Sequence, residues 1–141
     1  MADWTILFAP GALDDLEYLG RASGGLPQRL RAEIASAFHD PFKSQRFQEL
    51  LEGHGHTGRL DRLESSGFPK SFRIQLLHDF RATFCALPEV QAIVVSHVFA
   101  KSADPKYLRA VETHDARLEA FFLAFKDFAD RAETRRTRRR R

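Results

Sequence analysis

Between residues 71 and 101 the chain alternates apolar and polar side chains in short runs, and no other feature constrains its fold so strongly. Phe72, Ile74 and Leu76 alternate with Arg73 and Gln75, and Phe80, Ala82 and Phe84 alternate with Arg81 and Thr83. Successive side chains of a strand point to opposite faces, so a period of two predicts strands over 71–77, 80–87 and 91–99. The connections, His78-Asp79 and Leu87-Pro88-Glu89, are too short for the crossover that a parallel pair needs, which makes these neighbours antiparallel. The alternation also sends Arg73 and Arg81 away from the core side of a half-buried sheet. The last strand carries His97 and closes on Lys101. Cations and an imidazole on one exposed sheet face suit a phosphate-bearing partner, and nucleic acid is the expected target.

The flanks read as helices. Thr5 to Phe8 is a short apolar run, expected as a first strand, and Leu13, Leu16 and Leu19 then follow at helical spacing up to Ser23-Gly24-Gly25. Pro27 suits a helix start. Leu30, Ile34 and Phe38 mark a second amphipathic helix, which stops before Pro41 because the residue preceding a proline is pushed out of α geometry. The two form a helical hairpin on the sheet. A further helical stretch is expected over 45–51, and the Gly- and His-rich segment 53–58 is a loop. Beyond it, 59–65 alternates imperfectly around Leu60 and Leu63. From Asp104, read as an N-cap with Pro105 in the first turn, the apolar stripe of Leu108, Val111, Leu118, Phe121, Phe122 and Phe125 predicts a helix to about residue 128. It is longer than a small domain requires, and its far end suits a partner.

At 141 residues, 43% of them hydrophobic and thirteen of them Phe, the chain is expected to form one domain with a substantial core. No apolar run approaches the roughly 20 residues of a membrane span. Met1-Ala2-Asp3-Trp4 lacks the basic start of a secretion signal, and the single Cys85 allows no internal disulfide, so a cytoplasmic location is expected. The net charge of +3 is unevenly placed. Residues 131–141 hold seven Arg and one Glu, a net +6, whereas residues 1–130 hold fifteen Lys and Arg against eighteen Asp and Glu, a net −3. The expected organisation is a folded domain over 1–130 and a disordered Arg-rich tail over 131–141. Any phosphate-binding surface on the domain must be a local cluster.

The element order β-α-α-β-β-β-α, the Phe72-Arg73-Ile74, Asp79-Phe80-Arg81 and Phe84 pattern, and His97-x-Phe99-x-Lys101 resemble the RelE/HigB toxin superfamily over about residues 5–120. The resemblance implies an α+β fold with a small antiparallel sheet, an N-terminal helical hairpin and a C-terminal helix. It also implies the toxin of a toxin–antitoxin system, an mRNA interferase that cuts ribosome-bound mRNA and inhibits translation with no metal and no cofactor. In that chemistry the RNA 2′-OH attacks its own 3′ phosphate, which needs a base, an acid and cations on the crowded phosphorane. Implied partners are a cognate antitoxin, the ribosome and mRNA, and operator DNA bound together with the antitoxin. Carried onto this chain, Arg73 and Arg81 bind phosphate and stabilise the transition state, His97 is the acid or base, and Lys101 is a second cation. Lys70 and Tyr107 are candidate RNA contacts, and Arg136, Arg138 and Arg139 of the tail a salt-sensitive hold on a phosphate backbone. Two positions depart from the pattern: Gln75 and Ser102 stand where many members carry basic residues.

Simpler roles compete at each position. Arg73 and Arg81 can serve as a solvated sheet face or pair with Glu64 and Asp79, His97 can be a structural histidine, and Tyr107 can be packing. His54-x-His56 invites a metal but has no spaced third ligand. Two other functions fit the same scaffold: a ParE-like toxin that acts on gyrase through protein contacts, and a noncatalytic module that binds nucleic acid or protein.

Overall fold

Five strands build the sheet: β1 (Thr5–Phe8), β2 (Leu60–Arg62), β3 (Ser71–Leu76), β4 (Phe80–Leu87) and β5 (Ala92–Ala100). The computed structural model describes residues 4–53 and 60–139, with side chains throughout except at 41–42 and 127–139. Strand order is β1-β5-β4-β3-β2. The β2–β3, β3–β4 and β4–β5 pairs are antiparallel, as the short connections require. β1, by contrast, lies parallel to β5, with Thr5 opposite Ala92 and Phe8 opposite Val95. The chain between them supplies the crossover that a parallel pair demands.

Helices cover both faces. α1 (Pro10–Ala22), α2 (Leu26–His39) and α3 (Pro41–Leu51) follow β1, and α4 (Leu108–Arg139) follows β5. Leu16, Leu30, Ile34 and Phe38 of the first two helices pack with Phe47 of α3 against Phe72, Ile74, Phe84, Ile93 and Val95 of the sheet. A smaller cluster on the other face joins Ala9, Cys85 and Val94 to Leu118 of α4, with Phe68, Phe121 and Phe122 against it. Two-sided cover corrects the expectation of a half-buried sheet: every residue of β4 between its two ends is buried, the polar positions included.

Element ends follow local chemistry. Asp40 turns extended after α2, and its carboxylate accepts from the backbone N–H of Lys43, so α3 begins at Pro41, earlier than the expected residue 45. α4 starts at Leu108, later than expected, because Tyr107 takes a left-handed φ of 59°. Asp104 still caps it, accepting from the N–H groups of Leu108 at 3.0 Å and Ala110 at 2.6 Å. The backbone of α4 remains helical to Arg139, across most of the segment expected to be disordered. Among the described residues no helix is long and apolar enough to cross a membrane.

Candidate active site

Register sets Asp61, Arg73, Thr83 and His97 side by side across β2, β3, β4 and β5. Arg73 lies one strand in from the β2 edge of this row. Its Nη2 is 3.3 Å from the Asp61 carboxylate, and its guanidinium sits 4.5 Å over the ring of Tyr107. Tyr107 meets Phe99 edge-on at 5.9 Å, and Phe99 stacks on His97 at 4.7 Å. Arg73 and Tyr107 line a cleft of about 570 Å³ between β2 and the start of α4. Its charged lining balances, with Arg62, Arg73 and Lys106 against Asp61, Glu64 and Glu112. The cleft holds two of the expected RNA-contacting residues, but it is not a cationic groove.

His97 occupies a second group built from three elements. Its Nδ1 is 2.7 Å from Oδ2 of Asp15 on α1. The same oxygen accepts from the Val98 N–H at 2.9 Å and from Arg117 Nη1, on α4, at 2.6 Å; Arg117 Nη2 reaches Oδ1 at 3.3 Å. Arg117 also donates to the Ser96 carbonyl at 3.0 Å. Burial pushes the Asp15 carboxyl up, but its bonds to His97, Arg117 and Val98 outweigh that and hold it below its ordinary value. Nδ1 meets two groups, the Asp15 carboxylate at 2.7 Å, which only accepts, and Arg117 Nη1 at 3.2 Å, which only donates; the shorter contact, to the carboxylate, assigns the hydrogen of the imidazole to Nδ1. Nε2 has no hydrogen-bond partner among the described residues, on a side chain that is 18% exposed. Gly11 makes the arrangement possible, because a Cβ there would overlap the Arg117 guanidinium.

These two groups stand on different sides of α4. Val111 and Glu112 face the cleft, whereas Arg117, well over 90° around the helix from both, faces His97. His97 is no part of the cleft lining.

Arg81 is the clearest departure from expectation. It is only 8% exposed, and its Nη1 donates to the carbonyls of His78 at 2.7 Å and Phe80 at 2.8 Å. The β3–β4 turn places Leu77 and His78 at positive φ, and Arg81 ties down the carbonyls around it. Lys101 is exposed just past β5, and its backbone N–H donates to Asp79. Lys70 pairs at 3.8 Å with Glu89, beside the β4–β5 connection and outside the cleft lining. Gln75 contacts His78. Cys85 is buried, and burial raises its thiol to about 11, which leaves it unreactive. The side chains of Arg136, Arg138 and Arg139, and the His54-x-His56 segment, lie outside the described residues. Among those described, no three His, Cys, Asp or Glu side chains gather to hold a metal.

The sequence reading missed Asp15, Arg117 and His114. Nothing in the local sequence links Asp15 to residues 82 and 102 positions away. His114 is wholly buried between the hydroxyls of Ser96 and Ser71. Its spacing on α4 from Leu118, at i and i+4, was the available signal.

No family model and no curated protein matches the sequence. Solved structures do. The free state of a mutant of the E. coli toxin RelE aligns with a TM-score of 0.51 at 19% identity, over 79% of this chain and 97% of that one. The YoeB dimer from Staphylococcus aureus aligns at 0.46 and 16% identity, over 68% and 94%. The toxin–antitoxin complex RelBE2 from Mycobacterium tuberculosis aligns at 0.43 and 17%, over 70% and 99%. The strand order, the helices on both faces and the match to RelE together give one conclusion: this chain has the RelE-like toxin fold.

Proposed function

We propose that the protein is the toxin of a toxin–antitoxin pair, located in the cytoplasm, and that it cleaves ribosome-bound mRNA without a metal. The 2′-oxygen attacks the adjacent phosphorus, the bond from phosphorus to the 5′-oxygen breaks, and a 2′,3′-cyclic phosphate and a 5′-OH result. One group takes the proton of the 2′-OH and another supplies one to the leaving 5′-oxygen. The observation that carries this reading is His97 itself, whose Nδ1 is held by the partly buried Asp15 carboxylate and whose Nε2 has no hydrogen-bond partner among the described residues. In this reading Nε2 performs one of the two proton transfers, Arg73 and Lys101 meet phosphate, and Tyr107 stacks on a base. Arg136, Arg138 and Arg139 hold ribosomal RNA or operator DNA by counterion release. A cognate antitoxin wraps the sheet face or displaces the C-terminal helix and so masks the arginines.

The balanced charge of the cleft and the commitment of Arg81 to its own turn favour a second reading, a toxin that acts on gyrase by protein contacts. Induced expression of wild type and His97→Ala, with mRNA 5′ ends mapped, separates them. Growth arrest with new cuts inside reading frames, both lost in the variant, is expected. Arrest without cuts moves the case to the second reading, and no arrest overturns the toxin assignment.

A further inference from the structure

We infer that Asp15 is the positioning residue for His97: it fixes the Nδ1–H tautomer and so presents a proton-accepting Nε2 to the substrate. The inference rests on the proton-transfer reading of His97 given above. An imidazole in solution exchanges its hydrogen between the two nitrogens, and only the form with a bare Nε2 can take a proton there. Oδ2 of Asp15, 2.7 Å from Nδ1, selects that form. The ring is also held in place, by stacking on Phe99 at 4.7 Å. Asp15 is itself held, since the Val98 N–H and the forked guanidinium of Arg117 fill its remaining acceptor sites and balance its charge. The same carboxylate therefore remains a fixed acceptor whether the ring is neutral or has just received a proton. α1, β5 and α4 each supply one of these parts, which places Asp15 and Arg117 outside the strand pattern that carries the other candidates.

The test uses the full chain labelled with ¹⁵N at histidine. Followed across a pH series, the His97 ring nitrogens report the tautomer of the neutral ring by their chemical shifts. Nδ1–H is expected in the wild type, and Nε2–H there overturns the inference without any variant having to fold. In Asp15→Asn, whose amide can donate to Nδ1, the spectrum is expected to move toward the Nε2–H form. Cleavage of ribosome-bound mRNA is then expected to fall by about 10²–10⁴-fold in kcat with KM little changed, the range of a lost acid–base contribution. Cleavage at the wild-type rate by a folded Asp15→Asn overturns the positioning role while leaving the nuclease reading intact. Absence of cleavage by the wild type overturns the nuclease reading itself.

Discussion

Nε2 of His114 on α4 and the hydroxyl of Ser71 on β3 are 2.7 Å apart in a place where neither meets water. The other ring nitrogen lies 2.6 Å from the Ser96 hydroxyl, so one imidazole joins α4 to two strands. Ser66 extends the chain, 3.1 Å from Ser71 and 2.5 Å from Asp115. α4 is thus docked by a polar thread running through an apolar interface.

That thread makes stability depend on pH. Burial lowers His114 to about 4, with the Asp115 carboxylate opposing the shift and the charge of His97 adding to it. Above the ordinary histidine value of about 6.5 the ring is neutral in both folded and unfolded chains, and its contribution is fully present. As pH falls from about 6.5 toward about 4 the unfolded chain takes up a proton that the folded one refuses, and about 3 kcal/mol is lost. Urea unfolding across this window is expected to show the loss in wild type and a flatter profile in His114→Gln. Equal slopes in the two would remove His114 as the cause.

Gly11→Ala is expected to destabilise the protein even though alanine favours a helix. The new methyl meets the Arg117 guanidinium, which cannot swing away without losing Asp15 and the Ser96 carbonyl. Overpacking of this kind costs about 1–3 kcal/mol. In an Arg117→Ala background the space is empty, and the same change should be neutral or stabilising by up to about 1 kcal/mol. A double-mutant cycle read by urea unfolding measures the difference; additivity would show that the two residues do not meet.

The fold was legible where a residue's environment follows from its near neighbours. Alternation over 71–87 located β3 and β4, and Leu30, Ile34 and Phe38 gave the buried face of α2 correctly. The run Ala-Ile-Val-Val-Ser-His-Val-Phe-Ala of β5 carried a further signal, since near-continuous apolar strands are buried on both faces. The site was less legible. Periodicity assigns Arg81 to a face, yet it cannot show that the turn three residues away turns its carbonyls toward that side chain. The meeting of Asp15, His97 and Arg117 depends on the parallel β1–β5 pairing and on where α4 crosses the sheet, both set by tertiary packing.

Arg81→Ala should act on stability before it acts on any substrate. Its loss leaves the carbonyls of His78 and Phe80 without their side-chain donor, at the cost of a hydrogen bond from a charged group, about 1–3 kcal/mol. Arg81→Lys keeps one donor and should recover part of that. Thermal unfolding of both variants checks this. An Arg81→Ala protein as stable as wild type would free the guanidinium for phosphate binding and return it to the site.

Phe47→Ala is expected to be the most damaging single truncation in the core. The ring is fully buried and meets Trp4, Phe38, Phe72 and Phe84 with centroids 5.0–5.7 Å away, so it bridges α2, α3 and the sheet. Removing it deletes apolar area and leaves a void lined by rings that cannot all move inward, a loss of about 3–5 kcal/mol. Phe125 carries the same side chain on α4 at 63% exposure, and Phe125→Ala should stay within about 0.5 kcal/mol. Urea midpoints of the two variants at equal m-values give the comparison directly. If Phe47→Ala cost no more than Phe125→Ala, α3 would not be seated on the sheet through this ring, and the aromatic cluster would not be what closes that face.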